Sequence, residues 1–323
     1  MIDRKRLLLV VAVAAMLVLA GCVSTPGASD SASGVGDGTS PSPSTVDGEL
    51  ELHHIDVGQA DATLLVTPEN ETILIDTGDW RSNGSEVIDY LESRNVDRID
   101  HLVATHAHAD HVGGHAAVIE HFEEHGDGVG AAYDSGVAHT SQTYENYLDA
   151  VEGYDVQLYN VTAGDRLPLE DEQVNATVLN PPAGESETDL HDNSVVLSIE
   201  FGAFSYLTTG DAEAGTEQRL VEEWSDRLES DVYQAGHHGS STSSTDPKLD
   251  ASTPEIAVIS SAQASQYDHP SAEVLESFDD RGIETYWTAV HGDVVVTADG
   301  DSSSVATEHE APTDPEELIE LKE

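Results

Sequence analysis

The stretch "HLVATHAHADHVGGH", His101 to His115, constrains this chain more than any other. After the apolar run come His106, His108, Asp110 and His111 within six residues, and then Gly113-Gly114. The run reads as a buried strand, and paired glycines let a backbone turn tightly behind it. Imidazoles and a carboxylate at H-x-H-x-D-H spacing, set on the end of a rigid strand, are metal-ligand types aimed at one point. The pattern predicts half of a two-metal site.

The rest of the chain supplies the frame such a site needs. "ELELHHIDV", "ATLLVTP" and "TILIDTG" read as strands, "GSEVIDYLESRN" as an amphipathic helix, "IDHLVATH" as a strand and "GGHAAVIEHFEEHG" as a helix. A second half follows the same pattern, with strands in "QVNATVLNP", "NSVVLSIEFG" and "FSYLTTGD", a helix through "EAGTEQRLVEEWSDRLES", then "DVYQAG", "EIAVIS", "SAEVLESFDDRG", "IETYWT" and "DVVVTA". Two runs of strands, each with helices, predict an α+β fold of two sheets packed face to face with helices outside. One domain over residues 49–300 is within reach of a single core of about 250 residues. Residues 301–323 read as a frayed acidic tail with one short helix in "DPEELIELKE".

Other strand ends carry the remaining donors. Asp76 closes "TILIDTG", Asp211 closes "YLTTGD", and His237-His238 follow "DVYQAG", each beside glycine. Imidazole and carboxylate ligands together favour Zn, Mn or Fe over a thiolate-selected metal.

In this order "LIDTG", "HAHADHVGG", "YLTTGD" and "GHHGS" resemble the motifs of the metallo-β-lactamase superfamily, and the likeness covers about Leu50 to Ala298. "HIDVGQADATLL", "HHGSSTSS" and "YDHPSAEVLE" are more narrowly similar to the metallo-β-lactamase-like domain of the ComEC competence family, here without the polytopic membrane region. The resemblance implies the four-layer αββα sandwich and two divalent ions, Zn or Mn. It implies that His106 and His108 bind the first ion, Asp110 and His111 the second, and that Asp211 bridges them. His237 would complete the second site, with His238 as the rival. The further histidine usual on the first ion has no clear match in "HDNSVV", so His191, Asn193 or water fills that place.

Two cations a few ångströms apart supply a hydroxide nucleophile near neutral pH and neutralise charge on the attacked oxygen. Asp110 would orient that nucleophile as well as bind metal. His269 in "YDHP" is the best unassigned proton donor for a leaving alkoxide, its alternative role being a turn histidine beneath the next helix. Asp61 in "DVGQADA" would brace the metal shell or bind substrate, and Asp76 would hold the histidine loop. His53 and His54 alternate in a strand, so one is expected to face the core and the other solvent. His115, His121 and His125 read as a solvated helix face, and His291 as a loop residue. Sequons at Asn70, Asn83, Asn160 and Asn175 are glycosylation acceptors only in an exported chain.

Composition and the N-terminus place the protein. Acids outnumber bases 63 to 12 for a net charge of −51, yet 38% of residues are hydrophobic, enough for a core. Such self-repulsion is screened at about 1 M salt, where the Debye length is roughly 3 Å, so a salt-adapted, haloarchaeal type of source is expected. Arg4-Lys5-Arg6, the apolar run Leu7 to Ala20 and Gly21-Cys22 resemble a lipoprotein signal over residues 1–22. Cys22 is the only cysteine, so it forms no internal disulfide and is the expected lipid attachment point. Residues 23–48, rich in Ser, Gly and Pro, read as a disordered tether. The expected location is the extracellular face of the membrane, lipid-anchored or secreted, with no obligate protein partner.

Two function classes follow. The first is a phosphodiesterase or nuclease acting on DNA, as the ComEC resemblance implies. No basic groove accompanies it, since the arginines are scattered among acids, and phosphate contact would run through the metals, Ser240 to Ser244 and backbone amides. The same fold hosts lactonases, thioesterases and β-lactamases. The second class is a surface protein that binds a partner without catalysis, against which the intact ligand set argues.

Overall fold

Alternation of apolar residues explains the architecture. In the strands β1 (Leu50–His54), β2 (Thr63–Val66) and β3 (Thr72–Ile75), successive side chains point to opposite faces. Leu50, Leu52, Leu65, Ile73 and Ile75 enter one core, whereas Leu64 and Leu74 enter another. Both faces of this sheet are therefore covered. A computed structural model describes residues 46–184 and 189–322 of the chain. The expected signal segment and nearly all of the tether lie outside the described residues.

Helix α1 (Ser85–Ser93) leads to β4 (Ile99–Val103), α2 (His115–His125), β5 (Val129–Asp134), α3 (Gln142–Gly153) and β6 (Gln157–Asn160). Then come β7 (Val174–Asn180), β8 (Val196–Phe201), β9 (Phe204–Thr208), α4 (Ala214–Trp224), β10 (Val232–Gln234) and α5 (Asp246–Ser252). The chain closes with β11 (Ile256–Ile259), α6 (Ala272–Arg281), β12 (Glu284–Trp287), α7 (Thr288–His291), β13 (Val294–Ala298), β14 (Ser303–Thr307) and α8 (Pro315–Ile319).

One sheet has eight strands in the order β14-β13-β1-β2-β3-β4-β5-β6, the other six in the order β12-β11-β10-β9-β8-β7. Their inner faces share a core in which Leu52, Ile75, Val178, Ile199, Tyr206 and Val258 meet. Helices α1 to α3 cover the first sheet through Val87, Leu91, Val118, Phe122 and Tyr147. Helices α4, α5, α6 and α8 cover the second through Leu220, Leu249, Leu275, Phe278 and Leu318. These are the four layers expected, and the described residues form one compact unit.

Two regions differ from the sequence-based expectation. The stretch between α2 and β7 holds β5, α3 and β6, which local pattern does not announce: "VGAAYD" is rich in small residues and "QLYN" is an edge strand, mostly exposed. Residues after Asp301 do not fray. β14 pairs antiparallel with β13, and α8, in the expected segment, buries Leu318. A polar edge strand with one wet face carries too few apolar residues to be read as a strand. Among the described residues no helix is long and apolar enough to cross a membrane.

The topology positions the site. β3 to β6 run parallel, as do β9 to β12. Asp76, the histidine loop, Asp211 and His237-His238 thus all follow the C-terminal ends of parallel strands, where the loops of the two sheets meet.

Candidate metal centre

The histidine loop between β4 and α2 is fastened before it reaches any ligand. Asp76, 1% exposed, accepts the Thr105 backbone N–H with Oδ1 at 2.9 Å. Its Oδ2 accepts the Thr105 hydroxyl at 2.6 Å and His111 Nδ1 at 2.7 Å. Thr77 N donates to His111 O and Trp80 N to Ala109 O. The two glycines are required here: a β-carbon on Gly113 would lie 2.2 Å from Trp80 N, and one on Gly114 2.5 Å from Thr77 O. Asp76 holds the loop, the place read for it from the sequence.

Two four-donor clusters share Asp211. The first is His106, His108, His191 and Asp211. His106 Nε2 lies 2.8 Å from His108 Nδ1, which lies 3.2 Å from His191 Nε2. Asp211 Oδ2 is 3.5 Å from His106 Nε2 and 3.8 Å from His191 Nε2. Donors around a tetrahedral ion with bonds of about 2.0–2.2 Å stand roughly 3.3–3.6 Å apart, so this spread brackets such an ion. Burial, with the neighbouring His111 charge next, holds His106 well below the usual imidazole range; burial and then His191 push His108 down to about 4. Both rings are neutral at pH 7 and offer lone pairs. Of the three readings the sequence left open, His191, Asn193 or water, the first cluster contains His191. Asn193 instead donates its side-chain amide to Asp189 O at 2.6 Å, shaping the loop that carries His191.

The second cluster is Asp61, His111, Asp211 and His238, all buried. His111 Nε2 lies 3.2 Å from Asp211 Oδ1 and His238 Nδ1 3.5 Å from Asp61 Oδ2. His111 Nε2, His238 Nε2 and Asp211 Oδ1 have no hydrogen bond of acceptable geometry although all three are buried. Buried polar atoms are rarely left so, and three of them converging is what a cation would satisfy. Burial opposes the charged form of His238, but Asp61 and Asp211 hold it up to about 9; His111 is raised in the same way by Asp211 and Asp76. Burial likewise opposes ionisation of Asp211, but His111, His106 and His238 keep it well below the usual carboxylate range. The donor set is of a kind that divalent ions take, and Asp211 belongs to both clusters.

One assignment is corrected. The sequence favoured His237 for the second cluster, and the side chain there is His238. His237 and His238 take left-handed backbone angles, φ 52° and 57°, and the turn swings them apart. His238 points inward, its Nδ1 donating to Ser260 O at 2.9 Å, which turns Nε2 to the cluster. His237 faces His191 and Glu213 and keeps Asp211 Oδ2 at 3.6 Å. Asp110, expected beside His111 as a ligand, has its Oδ2 3.4 Å from His238 Nε2, the nitrogen turned toward the second cluster, and is partly exposed. Asp61 has its Oδ2 3.5 Å from His238 Nδ1 and 4.0 Å from His111 Nδ1; Gln234 Nε2 donates to its Oδ1 at 2.8 Å, and Tyr206 and Thr63 fix Gln234 in turn.

His269 lies over the cluster with its ring centroid 5.6 Å from that of His237. Burial, then His238 and His237, push it down to about 4. Glu213 and His139, which no sequence motif singles out, also approach: Glu213 Oε1 is 3.4 Å from His191 Nδ1, and the His139 ring is 6.2 Å from that of His108. Glu213 follows Asp211 by two residues, the one local signal that points to it.

Several other histidines are not where the sequence pattern puts them. His53 and His54 are each 1% exposed, because a sheet sandwiched between layers has no wet face. His115 is fully buried, its Nδ1 2.7 Å from Thr77 Oγ1. His291 lies in α7 against Trp287, away from both clusters.

A family model of the metallo-beta-lactamase superfamily matches residues 55–263. ComE operon protein 3 of Bacillus subtilis is 28% identical over 262 residues, which are 76% of this chain and 33% of that protein. Competence protein ComA of Neisseria gonorrhoeae is 30% identical over 244 residues, 73% of this chain and 30% of the other. Both are ComEC-family proteins, and the chain spans about a third of the length of each. The metallo-beta-lactamase fold protein YhfI of Bacillus subtilis superposes with a TM-score of 0.51 at 10% identity, over 78% of this chain and 100% of the other, a likeness of fold alone. Two sheets between helix layers, a donor set gathered at strand ends and a family match over most of the folded part agree: the chain belongs to the metallo-beta-lactamase superfamily.

Proposed function

We propose that this protein is a two-metal phosphodiesterase that cleaves DNA at the outer face of the membrane, lipid-anchored through Cys22 or secreted. The observation that carries the reaction class is the pair of four-donor clusters joined at Asp211. His106, His108, His191 and Asp211 would hold one ion, and Asp61, His111, Asp211 and His238 the other. Bound divalent ions supply charge neutralisation at a phosphoryl oxygen and a nucleophile at neutral pH.

The chain's own groups do the rest. Asp76 and Ser260 O fix which nitrogen His111 and His238 turn inward, and Gln234 orients Asp61. Asp110, on the open side, is placed to orient the attacking water. His269 is neutral in this setting, so it serves the leaving oxygen only after taking a proton itself. Likeness to competence proteins supports DNA as the substrate.

The test is a panel in concentrated salt with Mn or Zn, comparing bis-p-nitrophenyl phosphate, single-stranded DNA, a lactone and a β-lactam. Turnover of the two diesters, abolished in Asp211→Ala, is expected. Turnover of only the lactone or lactam overturns the substrate class, and inactivity on all four at full metal loading favours the binding-protein reading. For location, Cys22→Ser should release the protein or block its processing; retention at wild-type size would instead mean an uncleaved anchor.

A further inference from the structure

Beside the metal centre lies a cavity of about 580 Å³ whose walls include Asp110, Arg81, Trp80 and Tyr267. We propose that Trp80 and Tyr267 are stacking platforms that receive the unpaired bases of a single-stranded nucleic acid as its backbone enters the metal centre. The proposal rests on the phosphodiesterase reading and names its substrate more narrowly.

Exposed large apolar side chains are few among the described residues: Trp80 at 52%, Tyr159 at 51% and Tyr267 at 60%. Two of the three line this one cavity, which shares Asp110 with the rim of the second cluster. An aromatic surface left wet beside a reaction centre is the mark of a binding site. The volume falls within the usual range for a small-molecule pocket and accommodates a nucleotide.

Both residues adjoin groups of the site. Trp80 N donates to Ala109 O at 3.0 Å, tying the tryptophan to the histidine loop itself. The Arg81 guanidinium sits 4.9 Å from the Trp80 ring centroid, anchored by Asp79 at 2.9 Å, and the indole is still half exposed. The Tyr267 ring lies 5.8 Å from His269, which in turn lies 5.6 Å from His237. A base on Tyr267 is therefore one ring removed from the group facing the leaving oxygen.

The charge of the chain selects this mode of binding. With a net charge of −51, long-range attraction to phosphates is unfavourable, and the cavity adds Asp79, Glu86 and Asp110 to that repulsion. Arg81 on its wall is already paired with Asp79. Stacking needs no charge and accepts any base, but only a base whose face is free, which excludes an intact duplex.

The test compares an oligothymidylate with an abasic strand of the same length and backbone. The wild-type protein should favour the thymidylate in KM by about 5- to 150-fold for each stacked base. Trp80→Ala and Tyr267→Ala should each remove one such factor and the double variant should bring the preference toward one, and Trp80→Phe should retain most of it. Thymidylate should also quench tryptophan fluorescence in metal-free protein, and the quench should be absent in Trp80→Phe. Equal KM for the two strands in the wild type, or an unaltered preference in both alanine variants, overturns the clamp. If no diester is hydrolysed, the phosphodiesterase reading has failed, and quenching alone decides: quenching by thymidylate but not by the abasic strand sustains the clamp, and quenching by neither removes it.

Discussion

Replacing Asp76 by asparagine should weaken one metal site selectively while leaving the fold intact. Asp76 accepts three hydrogen bonds in a position 1% exposed, from Thr105 N, Thr105 Oγ1 and His111 Nδ1. Because His111 bonds Asp76 through Nδ1, its Nε2 is the nitrogen turned to the centre, 3.2 Å from Asp211 Oδ1. Asparagine has one acceptor oxygen and two N–H donors. With its oxygen kept on Thr105 N, its amide faces His111 Nδ1, which must then accept; the proton moves to Nε2 and blocks the ligand atom. Loss of a charge-assisted bond costs about 1.5–3 kcal/mol of stability, whereas Asp76→Ala, which strands all three donors, should cost about 3–5 kcal/mol. Loss of an orienting partner lowers metal affinity by about 10- to 100-fold. Calorimetric titration of metal-stripped protein with Zn or Mn, beside urea unfolding, reads both quantities. The expected isotherm keeps the His106, His108 and His191 site and weakens the other. Two sites of wild-type affinity in Asp76→Asn would refute the orienting argument, and equal weakening of both would reduce Asp76 to a scaffold role.

His191→Ala should cost one of the two bound ions by metal analysis, whereas Asn193→Ala should keep both at reduced affinity; the reverse pattern would make Asn193 the ligand. Burial pushes His54 down to about 3 from its ordinary 6.5, so the folded state refuses a proton that the unfolded chain accepts. Stability should therefore fall with pH below 6.5 by about 1.4 kcal/mol per unit, roughly 2 kcal/mol by pH 5, and urea unfolding of His54→Leu should lack that increment. Glu217, fully buried, accepts Ser244 N at 2.7 Å and Thr245 N at 2.8 Å and faces the buried Lys248. Glu217→Ala should cost about 3–5 kcal/mol by denaturant unfolding, and Glu217→Gln, which keeps acceptor oxygen, clearly less.

What the sequence discloses, it discloses through local pattern. Apolar runs mark the central strands because both faces of each sheet are covered, and the same fact defeats the expectation that one of His53 and His54 meets solvent. The burial of His115 is legible in hindsight: it shares the buried stripe of α2 with Val118, Ile119 and Phe122 at the 3.6-residue period, and only its polar side chain suggests a solvated face. The histidine loop is legible because its donors lie on one short segment. The nearness of Asp61 to the second cluster and of His238 rather than His237 is not, since both depend on how the second sheet closes over the first and on a left-handed turn that swings two adjacent rings apart. Edge elements such as β6 and β14 escape because an edge strand is half wet and carries little apolar signal.

The donor set and the chain's charge together predict an unusual salt response for DNA binding. Two divalent ions bring four positive charges, and Asp61 and Asp211 with Asp110 at the rim return three, so the loaded centre is a small positive spot in a molecule of net charge −51. A protein that grips phosphates with a basic groove loses affinity as salt rises, because counterion release then gains less. Here the long-range term is repulsive, and raising salt from 0.1 to 1 M shortens the Debye length from about 10 to about 3 Å. Screening removes repulsion across the surface while contacts at the buried centre and base stacking persist. Binding of single-stranded DNA to the metal-loaded Asp110→Asn protein, measured by anisotropy, should therefore strengthen or hold level across that range. A fall of several powers of ten would mean that lysines and arginines gather into a phosphate-binding track, and the reasoning from net charge would fail.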